Sequence, residues 1–386
     1  MKYNFDEVID RRGTNSLKYD YAVELGKPEA AMPLWVADMD FQIPPEATEA
    51  LMECVRHAIY GYTITKDDYD RAVINWFADH FGYEGKAQWI VKTPGVVFAL
   101  AMAVRAYTSE NDAVMIQMPV YYPFERVITT NNRKTINNPL VYNNAKYSMD
   151  FEDFERKISE NNVKIFILCS PHNPVGRVWT RDELSQVEKI CKRHGCLIVS
   201  DEIHCDITYP KHIHHVFEAA DIICTAPSKT FNLAGLQCSN IFIPNEQLRQ
   251  KFEAEVMKSG YPYLNTLSTL ACKVVYEQGG EWLAELRKYL RGNFEFMKGF
   301  LTEKIPQIKI IEPEGTYLVW LDFSGFGLAN KEMDEILLKR SGVWLSDGAI
   351  YGAEGEGFWR MNIACPRSTL RQALEKIESG TALSNF

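Results

Sequence analysis

Three short segments decide how this chain folds: Ser170-Pro171-His172-Asn173-Pro174, Ser200-Asp201-Glu202-Ile203-His204 and Ala226-Pro227-Ser228-Lys229-Thr230. Each follows a short apolar run, respectively Val163 to Cys169, Cys196 to Ser200 and Asp221 to Thr225. Asn173 to Asp201 and Asp201 to Lys229 are both intervals of 28 residues (201 − 173 and 229 − 201). That is about the length of a strand, a crossover helix and the next strand. Continuous apolar runs of this kind suit strands buried on both faces of a mostly parallel sheet. Equal spacing then brings Asn173, Asp201 and Lys229 to one sheet edge, where open α/β folds bind ligands. Between the first two segments, Thr180-Arg181-Asp182-Glu183 is a capping box that opens a helix, and Gly195 is placed to close it.

Working outward, the runs Ala113 to Met118 and Asn240 to Pro244 extend the same alternation, so residues 46–285 are expected to form one large α/β domain. Residues 1–45 are polar and turn-rich and close with Pro33-Leu34-Trp35-Val36-Ala37-Asp38-Met39-Asp40-Phe41 and Pro44-Pro45. They read as an extended arm that belongs with the smaller domain. After Gly279-Gly280 a long charged helix, roughly Glu281 to Lys304, precedes strands at Lys309 to Ile311, Tyr317 to Asp322 and Val343 to Leu345. That order predicts a smaller α+β domain over 286–386. A chain of 386 residues exceeds one ordinary core, which agrees with two domains.

The composition, 46% hydrophobic and 24% charged, is that of a soluble globular protein. A net charge of −9 without clustered Lys and Arg excludes a nucleic-acid surface, so any anionic ligand must be held by local groups. The nine cysteines are scattered and form no CxxC pair, which predicts reduced, buried thiols in the cytoplasm and no zinc site. The start, Met1-Lys2-Tyr3-Asn4-Phe5-Asp6-Glu7, has no apolar signal region, and no run approaches the roughly 18 apolar residues of a membrane span. No membrane partner is expected.

Lys229 is the candidate catalytic residue. It follows the apolar run Ile222-Ile223-Cys224 and sits among small residues. Desolvation there would pull its pKa below the free value of about 10.4 and leave an amine able to form a Schiff base. A lysine that carries pyridoxal phosphate in this way needs an acidic partner for the pyridine nitrogen. Asp201, at the end of Cys196-Leu197-Ile198-Val199-Ser200, suits that salt bridge, although it would also serve as a helix N-cap. Asn173 either holds the turn before Pro174 or donates to the cofactor's phenolic oxygen, and His204 either reaches the same oxygen or is structural.

The phosphate needs donors. Thr93-Pro94-Gly95-Val96-Val97 supplies a turn into an apolar helix running to about Tyr107, whose backbone N–H groups form an anion site, and Ser228 adds a hydroxyl. Tyr121, just past a strand, either stacks on the ring or fills the core. Arg360, inside Gly357-Phe358-Trp359-Arg360-Met361-Asn362, is placed to clamp an amino acid carboxylate. Tyr60, in Ile59-Tyr60-Gly61-Tyr62, has no role that physics alone assigns.

With these residues in place, the chain resembles the fold type I pyridoxal phosphate enzymes of the aspartate aminotransferase superfamily along nearly its full length. More closely it resembles the MalY/PatB group of cystathionine β-lyases. The closer match rests on Tyr3-Asn4-Phe5-Asp6 with Asp10-Arg11-Arg12-Gly13-Thr14, on Pro33 to Phe41, on Tyr60-Gly61-Tyr62 and on Ser200 to His204. The resemblance implies a three-layer aminotransferase-like large domain and a homodimer in which Tyr60 reaches the phosphate of the neighbouring subunit. It also implies Val96 and Val97 at the phosphate, Tyr121 on the ring and Arg360 on the substrate carboxylate. Two positions depart from the aminotransferases: Gln237 stands where an arginine commonly holds the phosphate, and Ala226 where serine is frequent. Both favour the lyase group.

The implied reaction is α,β-elimination of a sulfur amino acid, with Lys229 as general base, releasing thiol, pyruvate and ammonia. An aminotransferase on the same scaffold is the rival reading. A further regulatory role through a protein partner is what the same group allows, although no segment identifies such a surface.

Overall fold

The computed structural model describes residues 3–261 and 263–382. Its centre is a seven-stranded sheet: β1 (Ile90–Thr93), β2 (Ala113–Ile116), β3 (Lys134–Asn137), β4 (Ile165–Cys169), β5 (Leu197–Asp201), β6 (Ile222–Thr225) and β7 (Ser239–Phe242). The strand order is β1-β7-β6-β5-β4-β2-β3. The pairs from β3 through to β6 are parallel, and β7 runs antiparallel to both β6 and β1.

Strand alternation explains the two covered faces. Ile165, Ile167 and Val199 point into one core with Leu100, Ala103 and Phe252, while Phe166, Leu168 and Ile198 point into another with Phe154, Leu184 and Val187. The helices Val96–Tyr107 and Glu246–Lys258 therefore cover one face, and Phe151–Asn161 and Arg181–His194 the other. This is the three-layer α/β architecture anticipated from the sequence. The Thr180 and Glu183 capping box is formed, and Gly195 closes the helix with φ +63°. The edge strands β1 and β3 were not anticipated. The first, Ile90-Val91-Lys92-Thr93, has only two apolar residues before a lysine, and the second, Lys134-Thr135-Ile136-Asn137, is polar and partly exposed, so neither carries the apolar run of a buried strand.

A 25-residue helix, Gly280–Lys304, leads from this domain toward a second sheet. That sheet holds β8 (Lys309–Ile311), β9 (Leu318–Asp322), β10 (Ser346–Asp347) and β11 (Phe358–Asn362) in the order β8-β9-β11-β10. The predicted strand at Val343 forms, but Val343–Trp344 pairs in parallel with Met32–Pro33 rather than joining the four-stranded sheet. The arm thus packs on the smaller domain, and most of it before Ala31 is a series of turns rather than extended chain. Phe5 is buried between Trp282 and Tyr289, with ring centroids 5.6 and 5.5 Å away. Trp35 stacks on Trp344 at 4.3 Å.

Candidate active site

The register of β4, β5 and β6 places the site. Cys169 pairs with Asp201, and Asp201 with Cys224, so three carboxyl ends lie side by side. Asn173 follows the first, Asp201 is the end of the second, and Lys229 lies on the helical turn Pro227–Thr230 after the third. They open on a cleft of about 280 Å³ that is also lined by Val96, Val97, Tyr121, His204, Ser228 and Gln237.

Lys229 is held by the arm. Its Nζ donates to the carbonyl oxygen of Ala37 at 2.6 Å, and burial lowers its pKa to about 8 against the opposing pull of Asp38. Asp201 is 4% exposed, and the amide of Ile203 donates to it at 3.1 Å. Burial raises its pKa to about 7, partly offset by that amide and by Lys229. A carboxylate so desolvated calls for a cation within the cleft. His204 is buried, its pKa is driven well below the usual value by desolvation, and its Nδ1 has no hydrogen-bond partner. Asn173 spends its Oδ1 on Arg360 at 2.8 Å.

At the other end of the cleft, the helix Val96–Tyr107 begins at Gly95 with no side-chain cap, so its first N–H groups face the cavity beside Ser228. Gly95 adopts φ +134°, a conformation that L side chains rarely reach, and its amide donates to Ser239 Oγ at 3.1 Å.

Arg360 on β11 is 4% exposed. Its Nη1 reaches Asn173, its Nη2 donates to the Trp35 carbonyl at 2.6 Å, and its guanidinium lies 5.2 Å from the Tyr351 ring centroid. Its Nε has no partner. Tyr60 is not brought to the cleft within this chain: it is 57% exposed and lines a separate surface groove with Tyr62, Tyr261 and Tyr263.

Sequence reasoning missed the arm's carbonyls and Tyr317. The Tyr317 hydroxyl donates to Ala37 O at 3.0 Å, and its ring lies 6.1 Å from His204. Every residue has a carbonyl, so Ala37 offered no signal. Gln237, singled out only as a departure, lines the cleft with φ +57°.

The donor set fits pyridoxal phosphate: a desolvated amine for an aldehyde, a buried carboxylate for a ring nitrogen, orphaned polar atoms on His204 and Arg360, and an uncapped helix start for a phosphate.

Comparison with known proteins agrees with this geometry. Residues 30–377 match the family model described as aminotransferase class I and II. The chain is 43% identical to cystathionine beta-lyase PatB of Bacillus subtilis over 97% of its own length and 99% of that protein's. Cystalysin from Treponema denticola, whose crystal structure contains pyridoxal 5'-phosphate, superposes with a TM-score of 0.94 at 37% identity, covering 99% of both chains. The PLP-bound C-S lyase from Staphylococcus hominis superposes with a TM-score of 0.91 at 34% identity, covering 98% of both. A pyridoxal phosphate site built on this sheet edge, matched along nearly the whole chain, places the protein in the class I and II aminotransferase family, together with the PatB cystathionine β-lyase.

Proposed function

We propose that this chain is a pyridoxal phosphate-dependent carbon–sulfur β-lyase, converting cystathionine and water to homocysteine, pyruvate and ammonia. The observation that carries the reading is the buried Lys229 amine facing Asp201 and backed by Arg360, in a chain so similar to PatB.

When bound, the cofactor supplies an electron sink for the pair left at the substrate Cα. Lys229 would hold the cofactor's aldehyde, and its freed amine would take the Cα proton as general base. Its depressed pKa leaves a usable neutral fraction near neutral pH. Asp201 would keep the ring nitrogen protonated. Asn173 and His204 would serve the phenolic oxygen, and Tyr121 would pack on the ring, all three lining the cleft. The amides of Val96 and Val97 and the Ser228 hydroxyl would hold the phosphate. Arg360 receives the substrate carboxylate bidentately. The thiolate leaves from Cβ after the Cα proton has been removed.

The chain acts in this reading as a homodimer, with Tyr60 reaching the partner's phosphate; the exposed Tyr60, Tyr62 and Tyr263 support it. Nine free cysteines, eight of them buried, suit a reducing cytoplasm. Among the described residues no helix is long and apolar enough to cross a membrane.

The test is to supply cystathionine without any keto acid. Many equivalents of pyruvate and thiol per site, lost in Lys229→Ala, are expected. An aminotransferase would instead release at most one equivalent per site of the keto acid of cystathionine, with its C–S bond intact and no thiol freed.

A further inference from the structure

The backbone of residues 34–38 divides its carbonyls between two destinations in strict alternation. Those of Leu34, Val36 and Asp38 all go to Asn362: its backbone N–H donates to Leu34 O at 2.9 Å, and its Nδ2 to Val36 O and Asp38 O, each at 2.6 Å. Those of Trp35 and Ala37 go to the two cations of the site, and each also accepts from one hydroxyl, that of Ser346 and that of Tyr317 respectively, both at 3.0 Å. Arg360 Nη2 donates to Trp35 O at 2.6 Å, and Lys229 Nζ to Ala37 O at 2.6 Å. The side chain of Asn362 is itself fixed, because its Oδ1 accepts from the Ala364 amide at 2.8 Å. It is 1% exposed and lies on the same strand as Arg360, two residues further on.

We infer that Asn362 is a positioning residue: by holding the even carbonyls of residues 34–38 it sets the register that presents the odd ones to Arg360 and Lys229. A primary amide has two N–H donors, and here each meets one carbonyl two residues apart in the same segment. Among the described residues no other side chain spans both carbonyls. The acceptors are needed while the cations wait: Trp35 O orients the guanidinium before a carboxylate arrives, and Ala37 O orients the amine when it is free. One residue thus couples substrate capture to proton transfer. Tyr317 acts on the Ala37 half alone, since its hydroxyl reaches only that carbonyl.

This rests on the lyase reading for its kinetic part only. The test uses the holoenzyme and two variants, Asn362→Ser and Tyr317→Phe. One readout is binding of 3-(methylthio)propionate, a carboxylate without the amine that turnover needs, measured by calorimetry. The other is the split between KM and kcat. Asn362→Ser is expected to weaken carboxylate binding and lower kcat, each about tenfold, while Tyr317→Phe lowers kcat several-fold and leaves carboxylate binding within twofold. Where Asn362→Ser does not fold, Asn362→Asp replaces it; this keeps the shape but turns an acceptor toward both carbonyls, and the same pair of losses is expected. If the folded variant at 362 keeps both quantities within twofold, or shifts only the melting temperature, Asn362 is merely structural and the inference is overturned. Failure of wild-type pyruvate release would sink the lyase reading but leave the calorimetric arm standing.

Discussion

Arg360 and Asn173, 187 positions apart in the chain, are joined by a 2.8 Å hydrogen bond from Nη1 to Oδ1. The first lies on the second strand sheet and the second at the carboxyl edge of the first sheet. This bond and the Trp35 carbonyl fix the plane of the guanidinium before any ligand enters and leave Nε as its one nitrogen without a partner.

Replacing Arg360 by lysine keeps the charge but removes the fork. KM for the amino acid substrate should rise on the order of 10- to 100-fold with a smaller change in kcat, read from initial rates of pyruvate release.

Asp201 gives a pH signature in the cofactor-free protein. Burial raises its pKa from 3.8 to about 7, so the folded state binds the proton more tightly than the unfolded chain. Its stabilising contribution is full below pH 4 and is lost as pH rises through about 7. Asp201→Asn should therefore unfold at a higher temperature than the parent at pH 8, an advantage that fades toward pH 4. At about 1.4 kcal/mol per unit the ceiling is on the order of 4 kcal/mol. In the presence of cofactor the same variant should lose cofactor affinity and turnover at least about 100-fold, read by absorbance titration and by rate.

Lys18 has a fully buried side chain and pairs with Asp40 at 2.8 Å, next to Arg11, which bonds Asp38 at 2.6 Å. Lys18→Met leaves Asp40 buried with one cation fewer. A loss of about 3 kcal/mol is expected in urea unfolding, because breaking a buried pair costs more than the pair contributes.

Gly348 approaches its neighbours too closely for any side chain. A Cβ there would overlap the carbonyl oxygen of Gly355 and come within 2.5 Å of that of Phe358. Gly348→Ala should cost at least about 2 kcal/mol in thermal or urea unfolding. It should also raise KM, since this turn carries Tyr351, whose ring lies against Arg360.

Much of the fold was legible because its determinants are local. The runs ending at Cys169, Ser200 and Thr225 are continuous and apolar, and the Thr180 capping box marks a helix start. The equal intervals of 28 residues misled in one respect: the first holds the helix Arg181–His194, whereas the second crosses from Asp201 to Ile222 through turns, without the expected helix. The strands Ile90–Thr93 and Lys134–Asn137 were hidden, since β3 is polar and the apolar part of β1 is only Ile90-Val91 before Lys92. The arm was misread as extended because its turns are sequence-compatible with either form, and packing of Phe5 and Trp35 chooses between them.

The chemistry at the sheet edge follows from the order of residues alone: spacing along a right-handed crossover fold puts an amine, a carboxylate and an amide at neighbouring strand ends. What only the tertiary structure decided is which groups meet across long separations. Ala37 reaches Lys229 over 192 positions and Trp35 reaches Arg360 over 325, both through backbone carbonyls. A carbonyl is common to every residue, so its aim is a property of the packed chain and leaves no mark in the sequence.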